Sequence, residues 1–137
     1  MTDYPLSALG AADPTTEAYW AACAERRLTV QRCGACGAHQ HYPRPFCLAC
    51  DSDDLTLVAA GGRGRIYALT TLRLPVVPEL PPPYLLALVD LEEGPRLLTN
   101  IAEGPAAIGD PVVLQWRDRA DGLPPLPVFR VSRDGAL

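Results

Sequence analysis

Cys33, Cys36, Cys47 and Cys50 fall in the spacing C-x2-C-x10-C-x2-C, and no other feature of the chain restricts its folding as much. Each C-x-x-C hook turns two sulfurs toward one point, and the intervening residues 37–46 suffice for two short arms that bring the hooks together. That arrangement predicts a zinc ribbon with a tetrahedral metal held by the four cysteines. Gly34 and Gly37 agree with it, because metal knuckles need tight turns, some with φ > 0, that a residue without Cβ adopts freely.

Two disulfides, or four free thiols, are the competing uses of these cysteines. Disulfides persist in oxidising compartments, yet Met1-Thr2-Asp3-Tyr4 begins no secretory signal, lacking a basic segment followed by an apolar one. A cytoplasmic location is therefore expected. Four thiolates suit Zn²⁺ or a single iron on ligand type, and zinc is the expected ion. Four protein ligands leave no open position for water or substrate, so the role expected of Zn²⁺ is structural. His39 and His41 lie between the hooks and read as hairpin residues rather than ligands. Cys23, the fifth cysteine, reads as a small buried apolar side chain, since no base is placed beside it to activate a nucleophile.

The 137 residues suit one domain, or one domain plus a small satellite, and a hydrophobic content of 48% is enough for a packed core. The longest apolar run, residues 84–89, is far short of the roughly 20 residues that span a bilayer. No membrane association is expected. All 12 basic residues are arginine, against 16 acidic ones, for a net charge of −4. Without lysine there is no Schiff base and no lysine general base. Fifteen prolines and eleven glycines indicate many turns and little helix, so the body is expected to be mainly β.

Along the chain, Asp13-Pro14 is expected to open an N-terminal helix of about four turns, with Trp20, Cys23, Ala24 and Leu28 along one face. Thr29-Val30-Gln31-Arg32 enters the ribbon as a strand, and Tyr42-Pro43-Arg44-Pro45-Phe46 returns. Segments 65–74, 85–91, 96–101, 112–116 and 128–131 are apolar-rich, partly alternating and bounded by Gly, Pro or acidic residues. Five short strands in so short a span fit a five-stranded OB-fold barrel. The division expected is an arm and helix over 1–28, a ribbon over 29–54 and the barrel over 55–137. Residues 74–83 hold five prolines and form an extended connection, either a pre-ordered docking segment or a rigid crossover.

Taken in order, Leu28-Thr29-Val30-Gln31-Arg32-Cys33, the Cys33-Gly34-Ala35-Cys36-Gly37 knuckle, Pro43-Arg44-Pro45-Phe46-Cys47, Gly62-Arg63-Gly64-Arg65-Ile66-Tyr67 and Leu91-Glu92-Glu93-Gly94-Pro95-Arg96-Leu97 resemble the DUF35 family of zinc-ribbon OB-fold proteins. The resemblance covers about residues 15–131. It implies an N-terminal helix, a rubredoxin-like zinc ribbon and an OB-fold barrel. It also implies a CoA-thioester-associated accessory subunit, working in a hetero-oligomer beside a thiolase-like condensing or aldolase subunit or a hydratase-like enoyl-CoA partner. In such pairs the acyl chemistry takes place in the partner. Two positions depart from the family pattern: Asp51 after the second knuckle and Arg27 near the helix end, where glycine is common. Asp tolerates the left-handed conformation better than most residues.

The residues agree with an accessory role. No His–carboxylate pair, G-x-S-x-G elbow or Walker loop occurs, so no catalytic residue is assigned. Gly61-Gly62-Arg63-Gly64-Arg65 is the nearest approach to an anion loop, in which backbone N–H groups and the forks of Arg63 and Arg65 would meet the phosphates of CoA. The competing reading is a flexible entry to the first barrel strand with two solvated arginines. Single-stranded nucleic-acid binding, common for ribbons and OB-folds, is opposed by the negative charge and absence of lysine, so no nucleic-acid partner is expected. A rubredoxin-like electron carrier would not need the long extension after the ribbon.

Overall fold

The computed structural model describes residues 15–75, 80–119 and 122–132. It divides into two compact units, Met1–Ala60 with Asp118–Pro125, and Gly61–Arg117 with Leu126–Leu137.

The first unit opens with α1, Glu17–Ala24, preceded by Thr16 as N-cap. Asp13 and Pro14, the expected cap and first turn, lie outside the described residues. Eight residues make about two turns, half the expected length. The chain leaves the helix because Arg26 takes φ 58°, while the Arg26 and Arg27 amides donate to the Cys23 and Ala22 carbonyls. Those two bonds form a Schellman end, so the left-handed residue is Arg26 rather than its neighbour Arg27. The shorter helix buries Tyr19, Ala22 and Cys23, at i, i+3 and i+4 spacing, leaving Trp20 half-buried and Ala24 exposed.

After the helix, β1 (Thr29–Cys33) lies between β2 (His39–Gln40) and β3 (Leu55–Ala59), antiparallel to both. The expected return strand over 42–46 is not a strand. Pro43 and Pro45 remove two of its backbone donors, and the pairing falls instead on the two residues of β2. The far edge is filled by β3, expected with the barrel but paired along all five of its residues to β1.

The second unit is a closed barrel of β4 (Arg63–Leu72), β5 (Tyr84–Leu91), β6 (Arg96–Ile101), β7 (Pro111–Arg117) and β8 (Leu126–Val131), in the order β4-β5-β6-β8-β7. The chain is thus mainly β, as expected, and all five expected barrel strands form with shifts of one or two residues at their ends. Alternation decides which side chains enter: Ile66, Val89, Leu97, Ile101, Val112 and Phe129 are buried, while Arg63, Arg65 and Arg96 point outward. The β5–β6 hairpin turns at Gly94 with φ 114°. Gly64 is required for a reason no spacing shows, because a Cβ there would lie 2.4 Å from the Asp90 carbonyl oxygen. In the proline-rich connection residues 76–79 lie outside the described set, and Pro81, Pro82 and Pro83 are exposed. Among the described residues no helix is long and apolar enough to cross a membrane.

Candidate functional site

The two hooks are built as near copies. In the first, the Gly37 amide donates to the Cys33 carbonyl at 2.9 Å and the Cys33 amide to that of Ala38 at 2.9 Å. In the second, the Asp51 amide donates to the Cys47 carbonyl at 2.9 Å and the Cys47 amide to that of Ser52 at 2.7 Å. The residue that closes each loop is left-handed, Gly37 at φ 79° and Asp51 at φ 64°. Asp51 therefore occupies the glycine-like position anticipated for it, and its backbone keeps the knuckle's shape. Backbone amides also point at sulfur, from Cys36 to Cys33 Sγ at 3.5 Å and from Ala49 to Cys47 Sγ at 3.3 Å.

These loops bring all four sulfurs within 4.8 Å of one another. Cys33 and Cys50 are 3.6 Å apart and Cys36 and Cys47 3.7 Å. A tetrahedron with Zn–S bonds of about 2.3 Å has edges of about 3.8 Å, so Zn²⁺ fits the cage. The Cys36 amide, followed by that of Ala35 and the neighbouring thiols, lowers the Cys33 thiol against the cost of desolvation, while Cys50, despite the Ser52 amide, is pushed up by the thiols it faces. Neither histidine belongs to the cluster.

Cys23 is fully buried, and burial pushes its thiol up to about 11 despite a hydrogen bond with Tyr19. The same burial, reinforced by Cys23, carries the Tyr19 phenol well above its ordinary range. A thiol that stays protonated and shielded from solvent is core material, not a nucleophile. His41 packs on Tyr19 and Tyr42 with ring centroids 5.4 and 5.1 Å away, and burial lowers its pKa to about 4.

In the barrel, Arg63 and Arg65 are both exposed on the outward face of β4. The anion loop before them is not free. Gly61 donates its amide to Glu93 Oε2 at 2.8 Å, so the protein's own carboxylate takes a backbone donor expected to meet phosphate. Arg65 Nη1 donates to the Gly109 carbonyl at 3.2 Å. Its cross-strand neighbour Asp90 is engaged by Arg96, whose Nε and Nη2 donate to the two carboxylate oxygens at 2.6 and 3.2 Å. Arg96 also stacks on Tyr67, its guanidinium carbon 3.3 Å from the ring centroid. Sequence reasoning missed Arg96, Asp90 and Tyr67 as a set. Tyr67 stands at a bulge between Ile66 and Ala68 and is 51% exposed, and only strand register places it near Arg96.

A four-thiolate ribbon joined to a closed five-stranded barrel defines the class of zinc-ribbon OB-fold proteins. The family described as ChsH2, rubredoxin-like zinc ribbon domain, matches residues 20–56, and that described as ChsH2, C-terminal OB-fold domain, matches residues 57–117. A solved chain of the "Ltp2-ChsH2(DUF35) aldolase" superposes with a TM-score of 0.79 at 40% identity, over 87% of this chain and 95% of that one. A "Probable enoyl-CoA hydratase alpha subunit" of Thermomonospora curvata is 45% identical over 82% of this chain, which spans only 36% of that protein. A "DUF35 domain-containing scaffold protein" of Pyrococcus furiosus is 35% identical over 62% of this chain and 63% of its own length. The chain belongs to the DUF35 family of zinc-ribbon OB-fold proteins.

The two knuckles make a controlled pair of predictions. Gly37 has open space where a Cβ would go, so Gly37→Ala tests the left-handed backbone alone and should lower stability by about 1 kcal/mol. Asp51→Gly relieves the equivalent strain and should raise it by about 0.5 kcal/mol. Chemical denaturation of the metal-loaded protein checks both signs.

Proposed function

We propose that this chain is a non-catalytic accessory subunit that binds CoA thioesters and assembles in a hetero-oligomer with an enzyme subunit, thiolase-like in preference to hydratase-like. The observation that carries the reading is the likeness to the DUF35 chain of an aldolase, at 40% identity over 87% of this chain. The names of the hydratase and scaffold relatives support the same class of role. In this reading Cys33, Cys36, Cys47 and Cys50 hold one structural Zn²⁺, whose chemistry is to cross-link the two hooks.

Arg63 and Arg65 are the proposed grip on the CoA phosphates. With the Gly61 amide committed to Glu93, the grip rests on guanidinium forks and not on a backbone nest. Arg96 neutralises Asp90 and so removes the carboxylate that would otherwise oppose an anion at Arg65. The exposed Pro81-Pro82-Pro83 stretch is the proposed partner-docking segment, ordered at little entropic cost.

In the assembled complex, Arg63→Ala combined with Arg65→Ala should raise the apparent KM for CoA thioesters at least about tenfold while leaving assembly intact. Hydrogen bonds to charged groups are worth about 1.5–3 kcal/mol each, and solvent exposure reduces that, so tenfold is the floor expected of two. Ser replacements through Pro81–Pro83 should weaken assembly first. An unchanged KM in the double variant would remove both arginines from the site. Tight single-stranded DNA binding at physiological salt, indifferent to CoA, would favour the nucleic-acid reading instead.

A further inference from the structure

The segment that carries the second hook has no ladder of its own. Between β2 and β3 the backbone forms no strand, and Pro43 and Pro45 deprive it of two donors. Two side-chain amides hold it instead. Gln31 on β1 and Gln40 on β2 are cross-strand partners, buried at 8% and 9% exposure, and Gln40 Nε2 donates to Gln31 Oε1 at 2.8 Å.

Gln31 meets Arg44 as a strand edge would. Its Oε1 accepts the Arg44 amide at 2.9 Å and its Nε2 donates to the Arg44 carbonyl at 2.9 Å. Gln40 clasps the residues on either side of Cys47. Its Nε2 donates to the Phe46 carbonyl at 3.2 Å, and its Oε1 accepts the Leu48 amide at 2.9 Å. The backbone fixes the orientation of both amides, since an N–H must face an oxygen and a carbonyl must face an NH₂ group. Four hydrogen bonds thus tie the hook bearing Cys47 to the hairpin bearing Cys33 and Cys36, and a fifth, between the two glutamines, braces the pair.

We propose that Gln31 and Gln40 are positioning residues for the metal, two buried amides that substitute for a missing β ladder and set the place of the second hook relative to the first. The inference rests on the four-cysteine metal reading. A pair serving only to fill the interior would have no need to bond the backbone on both sides of a ligand. Each bond here lies in the unit that carries the sulfurs, and Leu48 directly follows Cys47. Loss of the clasp should therefore appear in the geometry of the bound ion as well as in the amount bound.

The test uses the full chain with Gln31→Met and Gln40→Met, singly and together. Zinc affinity, read by competition with a chromophoric chelator, should fall about 10–100-fold, the range for groups that orient metal ligands. In the Co²⁺-substituted variants the visible bands of the bound fraction should shift or change relative intensity, whereas general destabilisation would lower occupancy and leave band shape alone. Wild-type zinc affinity with an unaltered cobalt spectrum would overturn the proposal. Should the variants fail to fold, hydrogen exchange on the zinc-loaded wild type decides it: Arg44 and Leu48 amides should be protected like those of β1, and exchange at open-loop rates would overturn the clasp. Zinc uptake by the wild type is the separate control on the metal reading, failing independently of the glutamines.

Discussion

Cys36→Ser should strip the ribbon of its metal and loosen both hooks. The wild-type protein is expected to be colourless with about one zinc per chain, because its four sulfurs already sit near tetrahedral edges. Structural zinc in small modules contributes about 10–16 kcal/mol of apparent binding energy, far more than any single packing contact, and in such modules binding energy is folding energy. Serine's oxygen is a harder and much less acidic donor than a thiolate, so three thiolate ligands would remain and the weakened position would face solvent, since Cys36 is exposed. Zinc content should fall well below one per chain, and amide protection around Gly37 and Asp51 should drop to loop levels. Stoichiometric iron with a red colour, or a metal-free ribbon that stays fully ordered, would contradict this.

Phe129→Ala should lower the stability of the barrel by about 3–5 kcal/mol, the range for emptying a fully buried aromatic site. Phe129 has no exposed surface and sits opposite Leu114 on β7 and Ile101 on β6. The Ile101 pairing is the parallel contact between β6 and β8, and the Ala102 amide donates to the Phe129 carbonyl at 2.8 Å beside it. Deleting the ring therefore leaves its cavity at the seam that closes the barrel. Equilibrium denaturation followed by a barrel-specific signal checks the magnitude, and a loss under about 1 kcal/mol would mean that the seam is held elsewhere.

The parts legible in the sequence are those governed by neighbours along the chain. Cysteine spacing announced the cage because both hooks are local turns, and the strands from Arg63 to Val131 showed themselves through alternation between turn residues. What was not legible depends on pairing at a distance. Leu55–Ala59 looks like any short apolar segment until β1 takes it as an edge, and prolines on the return path leave only His39–Gln40 to pair on the other side. The helix end was misplaced because Arg26 rather than a glycine turns left-handed there. Gly61 read as an anion donor because nothing local reveals that Glu93, 32 residues away, reaches its amide. Gly64 and the Arg96–Tyr67–Asp90 set are equally matters of strand register.

Affinity purification of the protein at native expression, with mass spectrometry of whatever co-elutes and of the intact assembly, tests the central claim most directly. A stoichiometric hetero-oligomer with a thiolase-like or hydratase-like enzyme is predicted, with turnover of acyl-CoA present in the complex and absent from the separated chain. Elution of the chain alone, or acyl-CoA turnover by the homogeneous isolated chain that a point substitution abolishes, would contradict it.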